Sequence, residues 1–273
     1  MINIGFVIPV YNHPYYLQAL LAHTAQFQLP IILVNDGSNA ECSAILKQLD
    51  QQYSDVVLVE HAINQGKGQA VITGLREAHK LGLSHALQID CDGQHDWQDI
   101  QTFLSTAERH PEAMIIGQPI FDETVPKGRL YGRYATHIWV WINSLSFEIK
   151  DSMCGFRVYP LEPVIHVLNR AKFQLRMGFD SEILVRLKWE DIAFVNVPTQ
   201  VIYPEQGISH FDVWRDNLGI SKAHARLFAG MLWRFPKLIS HKIYNSKLKN
   251  QQLLHSTAKI KDKTQIEKGL GDD

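Results

Sequence analysis

Short apolar runs that stop at polar, glycine-bearing turns recur along the first half of the chain. Ile4 to Val10 ends at Tyr11-Asn12-His13-Pro14, and residues 31–34 end at Asn35-Asp36-Gly37-Ser38. Runs of that length bounded by turn residues read as buried strands. Between them Leu17, Leu20, Leu21 and Ala25 recur at helical spacing, which predicts a helix over 15–28. The same reading gives strands at 56–59, 86–89 and 114–117, with helices at 69–81 and 97–109. Such alternation predicts a largely parallel, doubly wound sheet flanked by helices. Ligands of these sheets bind beyond the carboxyl ends of the strands. Tyr11-Asn12, Asp36-Gly37-Ser38, Asn64-Gln65-Gly66-Lys67-Gly68 and Asp90-Cys91-Asp92-Gly93-Gln94 each follow a predicted strand, so one rim carries them all.

After residue 120 the pattern is less regular. An aromatic-rich helix is predicted over 127–147, with Arg129 and Arg133 four apart on one face. A turn-like stretch, Asp151-Ser152-Met153-Cys154-Gly155-Phe156-Arg157, comes next, then a helix over 179–189 and a strand over 193–197. The character changes at Ser209. From Lys222 to Lys249 there are seven Lys or Arg and no acid, while Leu227, Phe228, Met231, Leu232, Phe235, Leu238 and Ile239 recur at helical spacing. This basic amphipathic segment either packs on the domain or lies on an anionic membrane surface. Residues 251–273 are polar and are expected to form a frayed, disordered tail. The chain thus divides into a main α/β domain over 1–208, the basic helical segment over 209–250 and the tail over 251–273.

Composition narrows the function classes. With 27 Lys and Arg against 28 Asp and Glu, nothing in the global charge points to nucleic acid. Cys42, Cys91 and Cys154 are too few and too scattered for a disulfide framework, and they lack zinc-site spacing. The first residues, MINIGFVIPVYN, have no basic stretch followed by a long apolar run as a leader peptide would, and no apolar stretch approaches the roughly 18 residues of a membrane span. The expectation is a protein of the reducing cytosol.

The chemistry begins with Asp90 and Asp92. Two carboxylates at a strand exit repel unless a cation, a proton or full solvation offsets them. They can present oxygens to one hard divalent ion, Mg²⁺ or Mn²⁺, whose shell is commonly completed by substrate phosphates. A solvated Asp-Gly turn explains an isolated pair equally well, but this pair is not isolated from the other rim motifs. Gly93 stands fourth in its loop where an EF-hand needs glycine sixth, and Gly66-Lys67-Gly68-Gln69 is neither a Walker loop nor a dinucleotide fingerprint. Haloacid dehalogenase-type phosphatases also use paired acids, but on their first strand, whereas here the pair follows the fourth.

Taken together, Pro9-Val10-Tyr11-Asn12, Val34-Asn35-Asp36-Gly37-Ser38, Asn64-Gln65-Gly66-Lys67-Gly68 and Asp90-Cys91-Asp92-Gly93-Gln94 resemble glycosyltransferase family 2, whose fold is GT-A. The likeness covers roughly residues 3–205 and is greatest to the polyprenyl-phosphate sugar synthases, which also carry segments like 151–157 and Gly178-Phe179-Asp180-Ser181-Glu182-Ile183-Leu184. Cys91 stands where the family usually has a small residue, and Asn35 where it often has Asp.

The resemblance implies that Pro9, Tyr11 and Asn12 line a nucleotide pocket, that Asp36 contacts base or ribose, and that Lys67 and Cys91 belong to the donor site. Asp90, Asp92 and Gln94 would surround Mg²⁺ or Mn²⁺. Arg129, Arg133 and Arg157 would bind an acceptor phosphate, which guanidinium groups suit in a bidentate way. A hydroxyl acceptor needs a catalytic base, a phosphate does not. Asp180, Asp151 and Glu182 are therefore base candidates, with Asp180 first, or else groups that order the site. The implied activity is inverting, metal-dependent transfer from a nucleotide-sugar to a polyprenyl phosphate at the inner face of a membrane; residues 222–249 would then lie against the lipid, unless they pack on the domain. A glycan or glycolipid hydroxyl acceptor and a non-catalytic nucleotide-sugar-binding protein are the alternatives.

Overall fold

The computed structural model describes residues 2–121, 125, 127–202 and 211–269, without the side chains of Lys127, Arg129, His241 and residues 244–269. Seven strands, β1 (Ile4–Val10), β2 (Ile31–Asn35), β3 (Val56–Glu60), β4 (His85–Gln88), β5 (Met114–Phe121), β6 (Arg157–Pro160) and β7 (Phe194–Val201), form one sheet in the order β3-β2-β1-β4-β6-β5-β7. The helices are α1 (Leu17–Thr24), α2 (Ala40–Gln52), α3 (Lys67–Lys80), α4 (Ile100–Arg109), α5 (Lys127–Ser144), α6 (Leu161–Arg170), α7 (Phe179–Trp189) and α8 (Val213–Gly269).

Strands β1 to β4 pair in parallel, as do β5 and β7, in keeping with their apolar runs, which are buried on both faces in β1 and β2. The register sets Val10 opposite Asn35, which brings the ends of β1 and β2 level at one rim. β6 runs antiparallel between β4 and β5. The sequence pattern does not announce it, because Arg157-Val158-Tyr159-Pro160 has no apolar run. α2 also escapes the pattern, since only Cys42, Leu46 and Leu49 are buried on an otherwise polar helix. Its start is fixed by Asn39, whose side chain accepts from the Cys42 amide at 2.9 Å.

The core between sheet and helices includes Phe6, Ile8, Leu33, Leu87 and Ile89, and the rings of Phe103 and Phe156 stack at 3.9 Å. Cys91 and Cys154 belong to the same core, and all three cysteines are free thiols. Cys91 sinks inward, so its neighbours Asp90 and Asp92 are left at the rim, half-buried.

The chain falls into two compact units, Met1–Phe228 and Ala229–Asp273, and the division lies within α8. The boundary expected at 208/209 lies outside the described residues, and the first unit takes in the opening turns of the basic segment. Helix continues to Gly269, through most of the stretch read from its polarity as a disordered tail; residues 270–273 of that tail lie outside the described residues.

Candidate active site

The rim is built around one buried carboxylate. Asp36 is 2% exposed, and its Oδ1 accepts from His61 Nδ1 at 2.7 Å and the Gln65 amide at 2.9 Å. Its Oδ2 accepts from Asn64 Nδ2 and the Gly66 amide, both at 2.9 Å. Four acceptor positions filled from within the chain leave none for base or ribose. The contact expected for Asp36 is therefore replaced by another role, holding the loop that leads into α3. Asn12, at a left-handed φ of 50°, ties the ends of β1 and β2 together: its amide donates to Ser38 Oγ at 3.0 Å and its Oδ1 accepts from the Asn39 amide at 2.7 Å. Pro9 closes β1 opposite Val34, and Tyr11 follows half-buried. A cleft of about 310 Å³ beside them, between α1 and α2, shares Asn12 with the rim but is not lined by Asp90 or Asp92.

The acids stand at the end of β4. Lys67, the first residue of α3, places Nζ 2.6 Å from Asp90 Oδ2 and 3.4 Å from Asp180 Oδ2, so one ammonium bridges two carboxylates from distant parts of the chain. Burial alone would lower the Lys67 pKa, but Asp180 and Asp90 outweigh it and hold the group charged, above its ordinary value. Burial likewise opposes the charge on Asp90, and Lys67 overcomes it, so Asp90 stays below the usual carboxylate range. Gln88 Nε2 donates to its other oxygen at 3.2 Å.

Asp92 is placed differently. Burial and then the charge of Asp90 push its pKa up, and among the described residues its carboxylate accepts only from the Gln94 amide, at 3.1 Å. Among the described residues no cation lies within ion-pair distance of it. Cys91 between the acids points at the carbonyls of Pro9 and His13 at 3.5 and 3.6 Å, and burial pushes its thiol far above the ordinary range. Cys91 thus anchors the loop as an inert side chain. The sequence reading passed over His95 and Gly155. His95 packs on Phe156 at 5.4 Å, and burial lowers its pKa although Asp92 and Asp90 pull the other way; its only sequence signal is that it directly follows Gln94.

Gly155 lies against Asp90 so closely that a Cβ would overlap both carboxylate oxygens. Gly155→Ala must therefore displace Asp90 from Lys67. The expected result is a loss of roughly 100-fold in turnover with an unchanged circular-dichroism spectrum, since misplacement by about 1 Å carries a cost of that order. Parental turnover would show that the position of Asp90 is unimportant.

Asp90 and Asp92 fit a hard divalent cation, for a physical reason. Lys67 matches one of the two charges, and Asp92 remains a half-buried carboxylate whose ionised form is costly until a cation is near. Among the described residues no three acidic, His or Cys side chains converge on one point. The two aspartates would hold Mg²⁺ or Mn²⁺ only jointly with oxygens from another source, such as a diphosphate. The Gln94 main chain is engaged with Asp92 and Ile202.

The groups expected at an acceptor phosphate are distributed otherwise. Arg157 is 0% exposed and gives its guanidinium to the carbonyls of Cys154, Asp180 and Ser152 at 2.7, 2.9 and 3.0 Å. Arg157 is a brace between β6, α7 and the 152–154 turn, and its expected role at an acceptor phosphate is withdrawn because a phosphate cannot reach it. Arg133 donates through Nε and Nη2 to Asp151 at 2.5 and 2.7 Å. Asp151 also accepts from the Met153 and Cys154 amides at 2.9 and 2.7 Å, and although burial opposes it, Arg133 holds its pKa below the usual range. That leaves Asp151 ordering a turn, and it is no longer a candidate base. Arg129 is on α5, but its side chain lies outside the described residues.

Glu182 is 0% exposed and saturated by Arg186, Arg226 and the Gln174 amide, at 2.7 to 2.9 Å, so it too is removed as a base. Of the three carboxylates only Asp180 keeps an oxygen, Oδ1, without a hydrogen bond among the described residues, 3.5 Å from Arg157 Nη1.

Residues 6–173 match the family model described as "Glycosyl transferase family 2". The UDP-N-acetylglucosamine–dolichyl-phosphate N-acetylglucosaminyltransferase of Methanococcus voltae is 25% identical over 223 residues, which is 76% of this chain and 88% of that one. The dolichyl-phosphate beta-glucosyltransferase of Mus musculus is 27% identical over 67% of this chain, which spans 62% of the mouse protein's length. Among solved structures, glucosyl-3-phosphoglycerate synthase from Mycobacterium tuberculosis, in complex with Mn²⁺ and UDP-glucose, superposes with a TM-score of 0.57 at 15% identity, over 85% of this chain and 79% of that one. TarS 1–349 of S. aureus with UDP-GlcNAc gives 0.56 at 12% identity, over 82% and 66%. These structures share its fold.

Proposed function

Because the chain belongs to glycosyl transferase family 2, a glycosyltransferase with the GT-A fold, we propose that it moves a sugar from a nucleoside-diphosphate sugar to the phosphate of a polyprenyl lipid. The observation that carries the proposal is the pairing at the rim: Asp90 neutralised by Lys67 at 2.6 Å, and Asp92 beside it with no cation within ion-pair distance among the described residues. A donor diphosphate with its Mg²⁺ or Mn²⁺ supplies what that arrangement lacks. The ion, held by Asp90 and Asp92, would neutralise charge on the departing nucleoside diphosphate. Lys67, itself held by Asp180, keeps Asp90 in place, and Pro9, Tyr11 and Asn12 border the nucleotide.

The acceptor phosphate is already an anion, so attack at the anomeric carbon needs no base. The new bond runs from phosphate oxygen to anomeric carbon, the bond to the diphosphate oxygen breaks in line, and the configuration inverts. Arg129 is left to this reading as an acceptor-phosphate group, and Arg133 would serve it only by giving up part of its pairing with Asp151. The lipid acceptor is supported by the relatives, which include dolichyl-phosphate transferases and a polyprenol monophosphomannose synthase.

No helix among the described residues is long and apolar enough to cross a membrane. Peripheral attachment to a membrane is supported by exposed apolar side chains, Tyr131, Ile138 and Trp139 on α5 and Trp214 and Leu218 on α8. The second unit separately exposes Leu232, Trp233 and Phe235, beside Lys237.

The test presents polyprenyl phosphate in vesicles with and without anionic lipid, adds a panel of nucleotide-sugars with Mn²⁺, and reads the lipid product by mass spectrometry and its anomeric configuration by NMR. The expected outcome is one inverted sugar-phosphate lipid, formed faster on anionic vesicles. A retained configuration, or no lipid product with any donor, contradicts the proposal. The hydroxyl-acceptor reading rests on Asp180 Oδ1, which accepts no hydrogen bond among the described residues; it requires Asp180→Asn to abolish transfer to a soluble hydroxyl acceptor in the absence of lipid.

A further inference from the structure

The segment leading into α7 touches two parts of the first unit at once. On one side it lies against the turn that carries Lys67. The Gln69 amide donates to the Leu175 carbonyl at 2.8 Å, and Gly66, at φ 104°, comes so near that a Cβ would sit 2.6 Å from Arg176 Cγ and from the Leu175 oxygen. On the other side it is pinned to the opening turns of α8. Arg176 Nε and Nη2 reach the two carboxylate oxygens of Asp216 at 2.6 and 3.2 Å, and Asp216 is 0% exposed. The Gln174 amide is held by Glu182, which Arg226 also grips. Gln174 Oε1 in turn accepts from the Arg176 and Gly178 amides at 2.7 and 3.0 Å.

A buried ion pair is weak evidence for stability, because well-packed apolar side chains serve as well, whereas its directed, two-pronged geometry fixes a position. Here the position fixed is that of residues 174–178, which abut the α3 N-terminus and Lys67 and lead into the first turn of α7 and Asp180. Arg176 and Asp216 have no ion pair with Lys67, Asp90 or Asp180 among the described residues. We infer that Arg176 and Asp216 are positioning residues for the donor site: their pair holds residues 174–178 against the Gly66 turn so that Lys67 Nζ stays bridged between Asp90 and Asp180. The inference rests on the reading that Lys67 faces the donor diphosphate.

The test measures UDP binding in the presence of Mn²⁺ by calorimetry, with donor kcat and KM, in Arg176→Lys and Asp216→Asn, each alone and combined with Lys67→Met. Each single substitution is expected to weaken UDP binding and raise donor KM by roughly tenfold, within the range that small misplacements produce. Added to Lys67→Met, the same substitution changes binding by less than about threefold, because groups acting through one another are not additive. A merely structural role would instead lower the melting temperature and multiply with Lys67→Met. Parental affinity in Arg176→Lys, or losses that multiply, overturns the inference. Should Asp216→Asn not fold, Arg176→Lys, which keeps the charge, decides by the same criteria. If Lys67→Met itself binds UDP like the parent, the donor-site reading of Lys67 falls, and the inference with it.

Discussion

Asp92→Asn is expected to lower sugar transfer by roughly 1,000-fold or more, the order seen when a group that stabilises developing charge is removed. The folded protein should at the same time be as stable as the parent or more so. Both halves follow from the environment of one carboxylate. Burial and the neighbouring charge of Asp90 raise the Asp92 pKa, so the ionised form is the costly one in the fold. A group whose folded pKa is raised contributes stability fully below its unfolded pKa and loses that contribution as pH rises through the folded value. At neutral pH the parent therefore carries an electrostatic cost that asparagine relieves. Loss of activity with a melting temperature at or above the parental one would separate a functional carboxylate from a structural one. A lowered melting temperature would assign Asp92 to the fold, and retained transfer would remove it from the site.

Arg157→Met should behave in the opposite way, lowering stability by ~3–5 kcal/mol, the range for removing one partner from a buried charged network. Three carbonyls, of Cys154, Asp180 and Ser152, would lose their donor in a place water does not reach. For a chain of this size that is a drop of roughly 10 °C in melting temperature. Lysine should recover only part of it, because an ammonium cannot fork to three carbonyls on different elements. Thermal unfolding of both variants checks this. A parental melting temperature combined with a raised KM for the lipid acceptor would return Arg157 to the acceptor site.

What the sequence made legible, and what it did not, divides along physical lines. Strands β1 to β5 and the rim were readable because apolar runs ending in Gly, Asn and Asp report burial and turns locally. β6 was not, since its four residues carry no periodicity and owe their place to partners on β4 and β5. Among site residues, Asp90 and Lys67 were singled out from different motifs, and the structure brings them within 2.6 Å. Asp36, Asp151, Glu182 and Arg157 were identified as unusual, but which way each turns depends on at least one contact 18 or more residues away, such as His61 for Asp36, Arg133 for Asp151 and Arg226 for Glu182. A buried, fully bonded charge and a ligand-binding charge look alike in sequence. Only the partner count tells them apart.

On the proposed function Asp92, which has no cation within ion-pair distance among the described residues and stands beside an Asp90 paired with Lys67, takes a divalent ion together with a nucleoside diphosphate. A thermal-shift panel of UDP, GDP, CDP and dTDP, each with and without Mn²⁺ or Mg²⁺, in the parent and in Asp92→Asn, tests it most directly. Ligand at about 100 times its dissociation constant stabilises the fold by roughly 2.7 kcal/mol, which such a measurement resolves. The account predicts a metal-dependent shift with one nucleotide that is absent in Asp92→Asn. A shift independent of metal, one that survives in Asp92→Asn, or none with any nucleotide would contradict it.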